Sequence, residues 1–303
     1  VRRVASEIQV IIDIILAASP AFATYYLAAL GHGIFEKSGV LNLAIDGVFT
    51  LGVAIAFAVT AVSGNPNLGL IAAIASASAF GLLIAYLTIK LPISHGAIGL
   101  SIMFVGYGLA SLVGVPVRRV NPSANWYPMD DLFWLSLIVG SIAIGILIHY
   151  MLSRTKLGAA IRATGENPHA ASSLGISVMK IRLISGMLGY ALIGAGSALF
   201  VLAYTQSWTE GTGMGHGWIA FAVSLSAGRD PIVTMLASTV FAALLKYQYN
   251  IQAALKISPH ITNMIPFVAA LAAMVIFMVT PLHRKLAPPK SLGKRYFKEE
   301  RTV

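Results

Sequence analysis

Three residues able to do chemistry, Glu36, Asn42 and Asp46, stand where an ordinary spanning helix would carry none. They belong to the stretch Gly31-His32-Gly33-Ile34-Phe35-Glu36-Lys37-Ser38-Gly39-Val40-Leu41-Asn42-Leu43-Ala44-Ile45-Asp46-Gly47, which separates two apolar runs. Asn42 and Asp46 are four apart, so on a helix they share a face. An amide and a carboxylate facing a cavity can hydrogen-bond the hydroxyls of a solute and replace the water it sheds. Ionisable residues inside a span are functional candidates by default. Asp46 also has a structural use, pairing with Lys37 or capping a broken helix. Glu36 reads as the acid of a structural turn at the inner end. Irregular backbone at membrane depth is tolerated only where protein buries it or water reaches it. The stretch therefore lines an enclosed site or forms a tight turn.

Two further groups could serve the same path. Ser94, His95 and Ser101 open a span containing Gly96, Gly99, Gly106 and Gly108. Small residues let helices approach closely in lipid, which is the plainer use of those glycines, and His95 could face the path or sit satisfied at an interface. The run Gln206-Ser207-Trp208-Thr209-Glu210-Gly211-Thr212-Gly213-Met214-Gly215-His216-Gly217 breaks the second half of the chain as residues 31–47 break the first. Paired Gly-interrupted segments in two halves point, by analogy with secondary transporters, to a midplane site. Trp208, Glu210 and His216 are expected near an outer gate, an ordinary outer loop being the alternative.

A third kind of candidate is mechanical. In the loop 154–182, Asn167 can cap a short helix that begins with Pro168 and continues from His169 to Leu174, with Gly175 as its stop. Such a helix gives a partner something to grip, and Arg162, Glu166, Asn167, Pro168 and His169 are the residues placed to be gripped. The plainer reading is a connector.

The elements that must position these residues are set by composition. The chain has 303 residues, 57% hydrophobic and 11% charged, with a mean hydropathy of +0.80. Soluble domains carry about 25% charged residues, so a polytopic all-α membrane protein is expected, with a single transmembrane domain over 1–303. Spans of about 20 apolar residues are expected at 8–30, 43–62, 68–89, 93–115, 133–153, 183–205, 217–228, 231–249 and 262–282. That makes eight clear helices and a ninth, 217–228, short enough to be a half-helix or re-entrant. Turns are marked by Gly64-Asn65-Pro66-Asn67, Lys90-Leu91-Pro92, Asn121-Pro122-Ser123, Gly228-Arg229-Asp230-Pro231 and Ser258-Pro259. The run after Val1-Arg2-Arg3 reads as a span rather than a cleaved signal.

Nine crossings with the N-terminus outside put most of the 21 Lys and Arg on the inner side, counting the 154–182 loop and the tail 284–303. Trp126, Tyr127 and Trp134 fit an outer aromatic belt. The net charge of +10 is that loop distribution and not a nucleic-acid surface. The tail mixes Lys, Arg and Glu, suited to anionic headgroups or to disorder at its end.

Some chemistries are excluded. There is no cysteine, hence no disulfide and no thiolate site. Gly-x-x-x-x-Gly-Lys-Ser/Thr, His-Glu-x-x-His and Gly-x-Ser-x-Gly are missing, and no metal cluster is apparent. Energy must come from a partner or a gradient.

The stretch from Glu36 to Gly47, with Glu-Lys-Ser-Gly-Val-Leu-Asn followed by an acid and glycine, resembles the permease subunits of ABC importers for simple sugars and nucleosides, in the branched-chain amino acid/ribose/nucleoside permease superfamily. Arg162-Ala163-Thr164-Gly165-Glu166-Asn167-Pro168-His169-Ala170-Ala171, followed by Leu174-Gly175-Ile176, looks like that family's coupling loop. Gly217-Trp218-Ile219-Ala220 and Gly228-Arg229-Asp230-Pro231 match in position and character, so the resemblance covers nearly the whole chain. It implies a type II-like ABC importer permease in the cell membrane, N-terminus outside and C-terminus cytoplasmic, and not an enzyme. It implies a cytoplasmic ABC ATPase docking on 162–169 and holding the ATP and magnesium, with no cofactor in this chain. It also implies a second, similar but non-identical permease and an extracellular substrate-binding lipoprotein, with lipid and no nucleic acid. The acidic layout fits the nucleoside branch. That family often carries asparagine where Met103 stands and another near Ser94, and their absence leaves sugars open. The alternative is a secondary transporter or channel for a small polar solute, for which Asp46, Glu36 and Glu210 are the acids that could hold a coupling ion.

Overall fold

A computed structural model describes residues 2–118, 120, 126–127, 129–281 and 286–296, with side chains described, a few positions apart, from Ala18 onward. The turn expected at Asn121-Pro122-Ser123, the basic residues Arg119, Arg284 and Lys285, and the tail beyond Tyr296 lie outside the described residues.

The described chain is a bundle of helices: α1 (Arg2–Lys37), α2 (Ile45–Ser63), α3 (Pro66–Lys90), α4 (His95–Gly114), α5 (Asp131–Arg154), α6 (Lys156–Glu166), α7 (Pro168–Ser173), α8 (Val178–Leu199), α9 (His216–Ser226), α10 (Pro231–Leu255) and α11 (Pro259–Val279). A 3-10 turn extends α4 over Val115–Val117, and a π-helical turn extends α8 over Phe200–Thr205. Among the described residues seven helices are long and apolar enough to cross a membrane: α2, α3, α4, α5, α8, α10 and α11. With 36 residues, α1 reaches about 54 Å at ~1.5 Å per residue, more than one bilayer core. Leu112, Leu132 and Val279 are each over 70% exposed on the outer surface of the bundle. Such an apolar exterior belongs in contact with lipid.

Local chemistry starts most of these helices. Asn65, Ser94, Asp130, Thr155, Asn167, Ser177, Asp230 and Ser258 each accept a bond from a backbone N–H in the first turn of the helix that follows. This satisfies donors that a helix start otherwise leaves orphaned. Two helices lack such a cap. Ala44 precedes α2 and Gly215 precedes α9, and neither supplies a side-chain bond.

Those two are the broken crossings. At 11 residues, α9 is about 16 Å long and cannot cross a core of about 30 Å. The run 206–215 before it is non-helical. Likewise α2 begins in mid-bundle: Gly47 backs onto Met103 and Gly106, near the middle of α4. Residues 38–44 before it are non-helical. Of the nine expected spans, seven match helices long and apolar enough to cross among the described residues.

α8 is the central pillar, packed against both α1 and α3. A Cβ on Gly31 would overlap the Gly189 carbonyl, and one on Gly81 the Gly186 carbonyl. Backbones therefore meet directly, as small residues permit in lipid. The fully buried Tyr25, Phe35, Phe49, Tyr190 and Phe200 fill the spaces between. The loop 154–182 holds more order than its expected single short helix, because Thr155 also caps α6.

Candidate functional site

The two broken crossings meet at Asp46. Its carboxylate accepts a bond from the Gly215 N–H at 3.0 Å and from the Trp218 N–H at 3.2 Å. The Tyr107 hydroxyl donates a third, very short bond. The cap missing from the start of α9 is thus supplied from α2, across 169 residues of sequence. A carboxylate suits that position because the first turn of a helix presents free N–H groups and the positive end of its dipole. The fit is tight, since a Cβ on Gly217 would collide with the Asp46 backbone. Of the structural uses foreseen for Asp46, it is a cap, but for a distant helix and not its own.

Asn42 has a different place from that expected. It precedes the start of α2, so it and Asp46 do not share a helix face, and both are fully buried. The Asn42 Oδ1 accepts the Tyr190 hydroxyl at 2.5 Å, and its N–H donates to Glu36 Oε1 at 3.2 Å. Glu36 in turn is held by Arg229, whose Nε donates to Oε2 at 2.5 Å, with His32 Nε2 3.4 Å from Oε1. Glu36 is 0% and Arg229 9% exposed. Glu36 is structural as expected, and its partner Arg229 lies in the α9–α10 turn. Breaking a buried pair by removing one partner costs roughly 3–5 kcal/mol. This pair fastens the end of α1 to the second half of the chain. Asp230 of the same turn caps α10 through the N–H groups of Ile232 and Val233.

The other expected path residues are spread along the bundle and not gathered. Ser94 is exposed and caps α4, while the buried His95 Nδ1 accepts the Leu41 N–H at 3.4 Å. Both lie near the α1–α2 junction. Ser101 is exposed on α4. Trp208 lies at the opposite end, 4% exposed against Phe57 and Gly114. Glu210 is exposed, whereas His216 is half-buried with Nδ1 2.6 Å from the Tyr25 hydroxyl.

At the α6–α7 end the sequence reading is close to the structure. Asn167 Oδ1 accepts the N–H groups of His169 at 3.1 Å and Ala170 at 3.0 Å, and Gly175 stops α7 at φ +82°, a left-handed turn that suits glycine. Arg162, Glu166 and Asn167 are exposed, His169 is half-buried, and Pro168 is buried. Leu174 projects 81% exposed at the tip. A strap absent from the sequence reading returns here. The Ser291 N–H donates to the Gly165 carbonyl at 3.0 Å, and the Gly293 N–H to the Gly39 carbonyl at 3.1 Å. Tyr296 packs on His169 and lies over the guanidinium of Arg182, itself fully buried. The first part of the tail is thus docked on the protein and not lying loose.

The residues that sequence reasoning missed are Tyr107, Trp218, Tyr190, Arg229 and Ser291. Two had a usable signal: Arg229 is an ionisable residue between spans, and Tyr107 lies between two glycines in an apolar run.

The family model described as branched-chain amino acid transport system / permease component matches residues 14–280. The putative glucose ABC transporter permease protein TsgC13 of Haloferax volcanii is 28% identical, over 93% of this chain and 97% of its own. The nucleoside ABC transporter permease protein NupC of Lactococcus lactis is 27% identical, over 95% and 98%. A second protein of that organism, the nucleoside ABC transporter permease protein NupB, is 30% identical over 36% of this chain and 30% of its own. No solved structure matches the chain.

Proposed function

Because this chain belongs to the branched-chain amino acid transport system / permease component family, we propose that it forms the membrane path for a nucleoside or a simple sugar. It is the transmembrane subunit of an ATP-driven ABC importer, a multi-pass protein of the cell membrane, and not itself an enzyme. The observation that carries the substrate class is end-to-end similarity to permeases named for glucose and for nucleosides.

An importer of this kind works as a complex with an ATPase and a second permease. The second permease is a similar but non-identical chain, a reading supported by two such proteins in one organism. An extracellular lipoprotein delivers the solute, and ATP and magnesium sit on the ATPase. The ATPase docks on the α6–α7 end through Arg162, Glu166, Asn167, Pro168 and His169, with the exposed Leu174 as its apolar anchor. The N-terminus is outside and the C-terminus, with this docking end, cytoplasmic. Basic residues are concentrated at that end, as cytoplasmic loops require.

The acids needed for ion-coupled transport are otherwise engaged. Both oxygens of Asp46 accept bonds, Glu36 is paired with Arg229, and Glu210 lies on the exposed surface.

The test is purification of the tagged chain in mild detergent, with co-purifying proteins identified by mass spectrometry. An ATPase recovered with the wild type and lost with Glu166→Ala/Pro168→Gly supports the docking site. Recovery undiminished by that double change refutes it. Because the chain has no cysteine, single cysteines at Ser173 and Glu210 report sidedness. A membrane-impermeant thiol reagent applied to whole cells should label only the latter.

A further inference from the structure

The strap 286–296 is a stiff turn rather than a slack thread. Pro288 and Pro289 fix their own φ angles. The Leu292 N–H donates to the Pro289 carbonyl at 3.0 Å, and the Lys294 N–H to the Ser291 carbonyl at 2.9 Å. The strap is engaged along its length. Leu286 packs on the α9–α10 turn, where a Cβ on Gly228 would come within 2.5 Å of the leucine Cβ. Ser291, 5% exposed, gives both its N–H and its hydroxyl to the Gly165 carbonyl of α6, at 3.0 and 2.5 Å. The Gly293 N–H donates to the Gly39 carbonyl, and Tyr296 packs on His169 of α7 with ring centroids 5.0 Å apart.

These contacts converge on Gly39, in the junction between α1 and α2. A Cβ there would come within 2.7 Å of Ser291 Oγ and 3.3 Å of both Arg182 Nη2 and Gly165 Cα. Arg182 of α8 is fully buried with its Nε 3.4 Å from the Ser38 carbonyl, and neither of its terminal nitrogens has a hydrogen-bond partner. The Tyr296 ring lies over that guanidinium at 6.0 Å, so the docked strap covers a buried cation with the negative face of a ring. From Gly39 the junction runs through Leu41, bonded to His95, and Asn42, bonded to Glu36, to Asp46, the cap of α9. Direct contact between α6 and α1 also exists, because a Cβ on Gly165 would overlap the Lys37 carbonyl. Contact alone resists compression, whereas hydrogen bonds from the strap to both sides also resist separation.

We propose that the strap 286–296 is a tie that carries movement of α6–α7 into the α1–α2 junction, with Ser291 and Tyr296 as its positioning residues. This rests on the reading that the ATPase docks on α6–α7 and extends it to the route by which docking reaches Asp46 and α9. Coupling travels through contiguous packed and hydrogen-bonded groups. Here Gly165, Ser291, Gly293 and Gly39 form such a series, seven residues short of Asp46.

The experiment uses the complete importer in lipid nanodiscs and reads backbone hydrogen exchange without nucleotide and with ATP plus vanadate. The variants are Tyr296→Phe, which keeps the ring, and Tyr296→Ala/Ser291→Pro, which removes the ring and the Ser291 N–H. Losing one ordinary hydrogen bond raises the undocked population of the strap by about two- to ten-fold. Losing a buried aromatic side chain raises it by about a hundred-fold or more. Exchange over 286–296 should therefore rise sharply in the double variant. In the wild type, nucleotide should change exchange at 162–170 and at 38–44 together. In the double variant the response at 162–170 should persist while that at 38–44 shrinks by about two-fold or more. Tyr296→Phe should keep the wild-type response.

A 38–44 response that shrinks less than this while the strap exchanges freely overturns the proposal. So does a strap whose exchange does not rise in the double variant. Loss of the ATPase, or of the 162–170 response, from the double variant overturns it too, because the strap would then serve docking or general stability. A wild type in which 162–170 responds and 38–44 does not refutes the tie and leaves the docking reading standing. If 162–170 does not respond at all, the docking reading fails and this proposal falls with it.

Discussion

Replacing Arg229 by methionine leaves the Glu36 carboxylate fully buried with its strongest partner gone. The guanidinium Nε lies 2.5 Å from Oε2, and the remaining contacts are the Asn42 N–H at 3.2 Å and His32 Nε2 at 3.4 Å. Arg229 has φ +61°, but methionine and arginine carry the same backbone cost there, so the comparison isolates the charge. Orphaning one member of a buried pair costs roughly 3–5 kcal/mol. At about 2–4 °C per kcal/mol, the melting temperature should fall by roughly 6–20 °C. Glu36→Gln removes the charge left behind, so Glu36→Gln/Arg229→Met should be more stable than Arg229→Met alone. The assay is thermal unfolding of the detergent-purified chain followed by size-exclusion chromatography of the soluble fraction, over all four members of the cycle. Additive losses, or a drop of less than about 1 °C for Arg229→Met, would refute the idea that this pair fastens the two halves together.

Three other outcomes follow from the same geometry. Gly217→Ala should abolish uptake and lower the melting temperature, because the new methyl meets the Asp46 backbone, whereas Gly96→Ala, whose nearest neighbour is Leu43 at 3.6 Å, should leave both unchanged. Leu174→Asp should weaken ATPase retention in a pull-down by about ten-fold or more, the loss expected when a leucine worth ~1.5–3 kcal/mol can no longer be buried; wild-type retention would exclude Leu174 as the anchor. Ser291→Pro deletes the N–H that reaches Gly165 and should speed hydrogen exchange in residues 286–296, at Gly39 and over the end of α6. Unchanged exchange there would show that the strap contributes little to holding the junction.

How much was legible in the sequence divides along the range of the interaction. The helix α7 was readable residue by residue, because Asn167, Pro168 and Gly175 act within one or two turns of themselves. The same holds for Ser94 before α4 and Asp230 before α10. Glu36 was recognisable as structural, yet Arg229 was not recognisable as its partner, because 193 residues separate them and a single chain carries no signal of that contact. The expectation that Asn42 and Asp46 share a helix face failed for a related reason. Helical spacing was applied across a boundary at Ile45 that no local cap announces, since Ala44 supplies none.

By itself, then, the sequence determined the class of molecule and its local punctuation: an all-helical membrane protein, broken twice, with a capped helix pair at one end. Apolar length and short-range hydrogen bonding are enough for that. Only the tertiary structure decided what the breaks are for. Asp46, a candidate for solute contact by its residue type, is also the cap of α9, 169 residues away. A helix that starts inside the bundle leaves N–H groups in need of a partner. The fold answers that demand with the nearest carboxylate in space, which need not be near in sequence.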